Sequence, residues 1–89
     1  MKIDLLFATH NGARTLPRML DSLTGLARQA EMQLRVLCVD NASTDETPAI
    51  LDRYRSRLPL VILKEPGRGK NRALNRGLAH AEGELVVLT

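Results

Sequence analysis

LRVLCV, 34–39, reads as a strand in which Val36, Leu37, Cys38 and Val39 make an unbroken apolar run up to Asp40. A strand with one wet face alternates apolar and polar residues. A run without alternation fits a strand covered on both faces, as strands of parallel sheets are. Three other short apolar runs stand along the chain: IDLLFA at 3–8, PLVILK at 59–64 and ELVVLT at 84–89. The segments between them have helical period. In TLPRMLDSLTGLA, 15–27, Leu16, Met19, Leu20, Leu23, Leu26 and Ala27 share one helical face, with Thr15 as N-cap and Pro17 in the first turn. A second helix starts near Asp45 or Thr47, takes Pro48 in its first turn and turns Ile50, Leu51, Tyr54 and Leu58 inward. KNRALNRGLAHAEG, 70–83, makes a third, with Ala73, Leu74, Leu78 and Ala81 facing in and Gly83 ending it. The order βαβαβαβ, with short connections, predicts an α/β fold. Its sheet is four-stranded and parallel, with right-handed crossovers and helices on both faces, three layers in all.

At 89 residues there is room for one domain and one modest core. Phe7 and Tyr54 are the only aromatics, so the core is built from Leu, Val, Ile and Ala. No apolar run approaches the roughly 18 residues of a membrane span. Lys2 is followed by an apolar stretch too short for a secretory signal. Cys38 has no partner cysteine and reads as an inert core thiol, which fits a reducing, cytoplasmic setting.

The formal net charge is +3, and the excess gathers in EPGRGKNRALNRG, 65–77, where Arg68, Lys70, Arg72 and Arg76 face Glu65 alone. A local basic loop suits a small anion or a phosphate chain; nucleic acid asks for a wider stripe and stacking aromatics. GRGKNR is not a P-loop, and no G-x-G-x-x-G follows the first strand.

In open parallel sheets ligands bind beyond the carboxyl ends of the strands. Three polar clusters fall there: THNG at 9–12, Asp40 with Asn41, and EPGRGK at 65–70. Asp40 can accept from an imide N–H or ribose hydroxyls, Asn41 can donate and accept at a base edge, and His10 offers a ring for stacking. Gly67 and Gly69 let backbone approach a ligand while Arg68 and Lys70 meet phosphate oxygens. The sum is a nucleoside-diphosphate pocket. Each feature also has a plainer reading. Asp40 can cap the following turn, and Ser43, Thr44 and Asp45 can be a polar loop ending in a helix cap. His10 can be a solvated loop residue, and Arg72, Arg76 and His80 a solvated helix face.

The segments FATHNGARTLPRMLDSL, VDNASTDET and GRGKNRALNRGLAHAEGELVVLT, in this order across nearly the whole chain, resemble the N-terminal part of a family 2 glycosyltransferase. The resemblance implies the GT-A, Rossmann-like fold with strand order 3-2-1-4, and a UDP-, GDP- or dTDP-sugar as donor. Carried over by position, backbone at Ala8 and Thr9 meets the base and His10 packs on it, where relatives often have Tyr. Asn11 follows, with Gly12 where many members carry an acid. Asp40 and Asn41 contact the nucleoside, Asn41 standing where a second Asp is common. Arg68 and Lys70 approach the nucleotide.

In the family an Asp-x-Asp motif follows the fourth strand and holds Mg²⁺ or Mn²⁺. The chain stops at Thr89, where that motif would begin. The resemblance therefore implies a fragment holding the nucleotide-binding half, with no metal ligand and no catalytic residue of its own. The full-length relative would transfer sugar with inversion, with a divalent metal, in the cytoplasm or at the inner membrane surface. An open edge at LVVL then predicts self-association. A non-catalytic nucleotide- or phosphate-binding domain is the alternative reading, and a small nucleic-acid-associated domain a third.

Overall fold

A computed structural model describes residues 2–29 and 33–88. Strands β1 (Lys2–Thr9), β2 (Gln33–Asn41), β3 (Leu60–Glu65) and β4 (Glu84–Val87) alternate with helices α1 (Leu16–Gln29), α2 (Thr47–Tyr54) and α3 (Lys70–Leu78). The strands form one sheet in the order β3-β2-β1-β4, with every neighbouring pair parallel. Fold class and strand order agree with expectation. Thr89, the last residue of the expected fourth strand, lies outside the described residues.

Period-two alternation splits the core into two halves. Leu5, Phe7, Val36, Cys38 and Leu60 meet Leu16, Leu20 and Leu23 of α1 and Ile50 and Leu51 of α2. Leu6, Leu37 and Val39 point the other way, onto Ala73 of α3. The unbroken run in β2 is thus explained: consecutive residues serve opposite cores, and all four are fully buried. Gly77 lets α3 lie close to β1, because a Cβ there would collide with the Leu6 side chain.

Several local expectations are corrected. Thr15 does not cap α1 through an N–H; its hydroxyl donates to Gly12 O at 3.5 Å. Leu26 is 50% exposed. At 100° per residue it stands about 90° from the centre of the face made by Leu16, Leu20, Leu23 and Ala27. Leu78 is exposed for the same reason, and Gly77 takes the inward position on α3. The third helix ends at Leu78, so Gly83 does not terminate it; Gly83 instead packs against the Lys2 backbone, where a Cβ would strike Lys2 O.

The interruption of the first apolar run, Asp4, is a buried ion-pair partner. Arg35 Nε donates to Asp4 Oδ1 at 2.9 Å and an Arg35 terminal nitrogen to Oδ2 at 3.2 Å. Asp4 Oδ2 also accepts the Glu82 and Gly83 N–H groups at 2.6 and 2.9 Å. Arg35 reaches on to His80 O at 2.8 Å. The Arg35 guanidinium, aided by the two backbone N–H groups, holds the Asp4 carboxyl well below the usual carboxylate range. This clasp fastens the α3–β4 connection to β1 and β2.

β4 is covered least. Leu85, Val86, Val87 and Leu88 are between 36% and 42% exposed. Among the described residues no helix is long and apolar enough to cross a membrane.

Candidate functional site

Parallel pairing brings the carboxyl ends of β1, β2 and β3 to one edge: Thr9 lies beside Asp40, Asp40 beside Lys64, and Asn41 beside Glu65. The loops leaving these strands meet there, and hydrogen bonds between them set their shape.

The loop after β1 is tied to the loop after β2. Asn11, at φ 50°, accepts the Thr44 and Asp45 N–H groups on Oδ1 at 2.7 and 3.2 Å. Its own N–H donates to Ser43 Oγ at 3.0 Å. Gly12 N–H donates to the buried Thr47 hydroxyl at 3.1 Å, and Ala13 N–H to Asp45 Oδ2 at 3.2 Å. Asp45 Oδ1 accepts the Thr47 N–H at 2.9 Å, which satisfies a free donor at the start of α2. Hydrogen bonds from Thr47, and then from Ala13, lower the Asp45 pKa. Ser43, Thr44 and Asp45 thus join the two loops and the start of α2.

The loop after β3 is tied to Asn41. Asn41 Nδ2 donates to Glu65 O at 3.0 Å and Gly67 O at 2.7 Å, and Asn41 Oδ1 accepts the Gly69 N–H at 3.1 Å. Glu65 Oε2 accepts the Gly67 N–H at 2.8 Å, while Oε1 pairs with Arg76 Nε at 3.2 Å. The Gly67 N–H, then Arg76, lower the Glu65 pKa. Gly69 has φ 129°, a conformation open to glycine, and precedes the first turn of α3.

Ala8, Thr9, His10, Asn41, Arg68 and Lys70 line, with Gly69, a cavity of about 270 Å³. Lys70 opens α3, whose first-turn N–H groups lack intrahelical acceptors. His10 Nδ1–H donates to Asn41 O at 2.6 Å, which leaves Nε2 as the acceptor facing Asn11 Nδ2 at 3.4 Å. The Nδ1–H bond thus orients the imidazole at the mouth.

Asp40 points to the other face of the sheet, as the alternation from Asn41 requires. It lines an adjoining cavity of about 380 Å³ with Ala42, Ser43, Pro48, Lys64, Glu65 and Pro66. Asp40 is 5% exposed, and its buried Oδ1 has no hydrogen-bond partner among the described residues. Asp40 and Asn41 thus open on different faces at the end of β2, and the two cavities they line adjoin at the carboxyl edge of the sheet. Asn11 lines neither and serves the loop network. The loop network itself was missed by sequence reasoning, as was the role of Gly69. The short polar residues 41–45 were its only visible signal.

The described residues do not fit a divalent ion. Among them no three His, Cys, Asp or Glu side chains come together as a metal cluster. The carboxylates of Asp45 and Glu65 are already occupied by protein donors.

Known proteins share this sequence pattern and fold. The sequence profile described as glycosyl transferase family 2 matches residues 4–89. The poly(ribitol-phosphate) beta-N-acetylglucosaminyltransferase TarS of Staphylococcus aureus is 33% identical over 91 aligned residues, covering 98% of the chain and 15% of that relative. A crystal structure of a TarS fragment in complex with UDP-GlcNAc superposes with a TM-score of 0.79 at 30% identity, over 99% of this chain and 26% of the other. The mannosyltransferase PcManGT of Pyrobaculum calidifontis, in complex with GDP-Man and Mn²⁺, superposes at 0.72 with 31% identity, over 93% of this chain and 25% of the other. The chain spans about a quarter or less of these relatives.

Proposed function

The chain belongs to glycosyl transferase family 2, and from that membership we propose that it is the nucleotide-sugar-binding part of an inverting glycosyltransferase, which moves a sugar from a nucleoside diphosphate to an acceptor hydroxyl. The observation that carries this reading is the unpartnered, buried Asp40 Oδ1 at the carboxyl edge of the sheet. Leaving such an oxygen alone costs about 1–3 kcal/mol, more when it is charged. A nucleoside imide N–H or a ribose hydroxyl removes that cost on binding.

Each neighbour then has a task. Backbone at Ala8 and Thr9 borders the base, His10 offers its ring to it, and Asn11 carries the loop on which His10 stands. Asn41 lines the His10 cavity and bonds to the loop that carries Arg68. Arg68, Lys70 and the first turn of α3 meet the diphosphate, where cations and N–H groups stabilise the charge of the leaving group. The donor is a UDP-, GDP- or dTDP-sugar; relatives in complex with UDP-GlcNAc and GDP-Man support this class. For a full-length counterpart a divalent ion, magnesium or manganese, joins the diphosphate, as the Mn²⁺ of the mannosyltransferase suggests. None of the roles given to this chain depends on it. The chain alone binds donor without turning it over.

Calorimetric titration with UDP, GDP, dTDP and the matching nucleosides tests this. At least one diphosphate binds saturably and more tightly than its nucleoside, because Arg68 and Lys70 act on the phosphates. No binding of any at about millimolar concentration overturns the reading. Multiple turnovers of UDP-GlcNAc or GDP-mannose with an acceptor overturn the binding-only assignment.

A further inference from the structure

Asn41 is 6% exposed, and both its amide hydrogens and its side-chain oxygen are engaged inside the protein. Its two amide hydrogens go to Glu65 O and Gly67 O, and its side-chain oxygen takes the Gly69 N–H. Its backbone oxygen takes the His10 Nδ1–H. We propose that Asn41 is a positioning residue rather than a ligand contact: it holds the 65–69 loop, and with it Arg68 and Lys70, in one frame with His10. The nucleoside and diphosphate subsites are then kept at a fixed spacing by one residue at the end of β2. This rests on the nucleotide-binding reading above.

The chemistry demands an amide. Two carbonyl oxygens facing one side-chain atom need two N–H donors on it. The isosteric aspartate keeps an acceptor for Gly69 but turns lone pairs and negative charge toward Glu65 O and Gly67 O. The other tethers of this loop are local to it or to α3: Gly67 N–H on Glu65, and Glu65 on Arg76. Among the described residues Asn41 alone ties the loop by its side chain to the centre of the sheet edge.

Asn41→Asp and Asn41→Ala are compared with the unaltered chain, with UDP, GDP, uridine and guanosine as probes. In N41D at neutral pH the diphosphates weaken about tenfold or more, while the nucleosides change by less than about twofold. Acidification restores much of the loss, because a protonated carboxyl donates to one of the carbonyls, and two facing acceptors raise its pKa. His10, Asp40, Lys64, Glu65, Arg68, Lys70 and Arg72 surround the position and titrate or carry charge in both proteins, so the variant is scored as a ratio to the unaltered chain at each pH. Loss without recovery, equal loss for nucleoside and diphosphate, or no loss overturns the inference.

N41A adds a readout without ligand. Amide exchange at Gly69 speeds up while that at Leu37 in β2 is unchanged; an unchanged Gly69 overturns the inference. If N41A loses the sheet, protection at Leu37 falls too, and N41D decides. If the unaltered chain binds neither UDP nor GDP, the nucleotide reading falls, and exchange at Gly69 alone decides whether Asn41 holds the loop.

Discussion

Two buried carboxylates stand on this sheet, and the fold treats them in opposite ways. Asp4, toward the amino end of β1, has both oxygens engaged, by Arg35 and by the Glu82 and Gly83 N–H groups. Asp40, at the carboxyl end of β2, keeps a buried oxygen with no partner. Both are less than one-tenth exposed, so burial alone does not separate them. Satisfaction does. A carboxylate whose partners all come from the chain is structural, whereas one left unsatisfied at a cavity is, on the function proposed above, the one that takes a partner from outside.

The largest expected effect tests the first half of that contrast. Asp4→Ala leaves the Arg35 charge without its partner and frees the α3–β4 connection. It costs about 3–5 kcal/mol of stability, read by chemical denaturation. A loss below about 1 kcal/mol makes the clasp incidental. The pH dependence follows from the lowered pKa of Asp4. A carboxylate held below its unfolded value contributes fully above about pH 4, and that contribution is lost as the pH falls toward the folded value. The unaltered chain therefore loses stability on acidification, and Asp4→Asn has a shallower acid limb. Equal limbs would place the acid sensitivity elsewhere.

Asp40→Asn reverses the pattern. It replaces a buried carboxylate whose Oδ1 has no hydrogen-bond partner among the described residues, so the free chain is as stable or gains about 1 kcal/mol. Affinity for the preferred nucleoside diphosphate falls about tenfold to a hundredfold in calorimetry, since a charge-assisted hydrogen bond is lost. A destabilised D40N with unchanged affinity would make Asp40 a second Asp4.

A smaller effect concerns the loop beside Asp40. Ala42 has φ 54°, which costs a residue with a Cβ about 1 kcal/mol and costs glycine little. Ala42→Gly recovers part of this in denaturation, offset by the freedom glycine adds to the unfolded chain. A loss above about 1 kcal/mol would contradict the strain. The weakest expected effect lies at β4, where we propose that the exposed Leu85, Val86, Val87 and Leu88 drive self-association at high concentration. Sedimentation should show it for the unaltered chain and less of it for Val86→Lys. A monodisperse monomer at high concentration counts against it.

The sheet was legible because its signal is local. Val36 to Val39 reveal a strand covered on both faces, and the alternation of runs and helical segments reveals parallel connections. What escaped was long-range or negative. Arg35 pairs with a residue 31 positions away, and the bonds of Asn11 to the second loop span 32 to 34 positions, so no window of sequence displays them. Leu26 and Leu78 look like core residues by type, yet each sits on the flank of its helix, beyond reach of the sheet. Gly77 packs by lacking a side chain, which leaves no hydrophobic pattern to read. At the site, residue types and shared edge were readable. The division of Asp40 from Asn41 by the pleat follows from alternation and required only that β2 continue to its last residue, as it does.

The central claim is that one edge of the sheet, and not its other end, receives the nucleotide. Amide chemical shifts mapped during titration with UDP and GDP test it most directly. The account predicts saturable changes confined to residues 8–11, 40–43 and 65–71, with Asp4, Arg35 and Gly83 unmoved. Changes centred on the Asp4 clasp, or spread evenly over the sheet with none at Asp40, would contradict it.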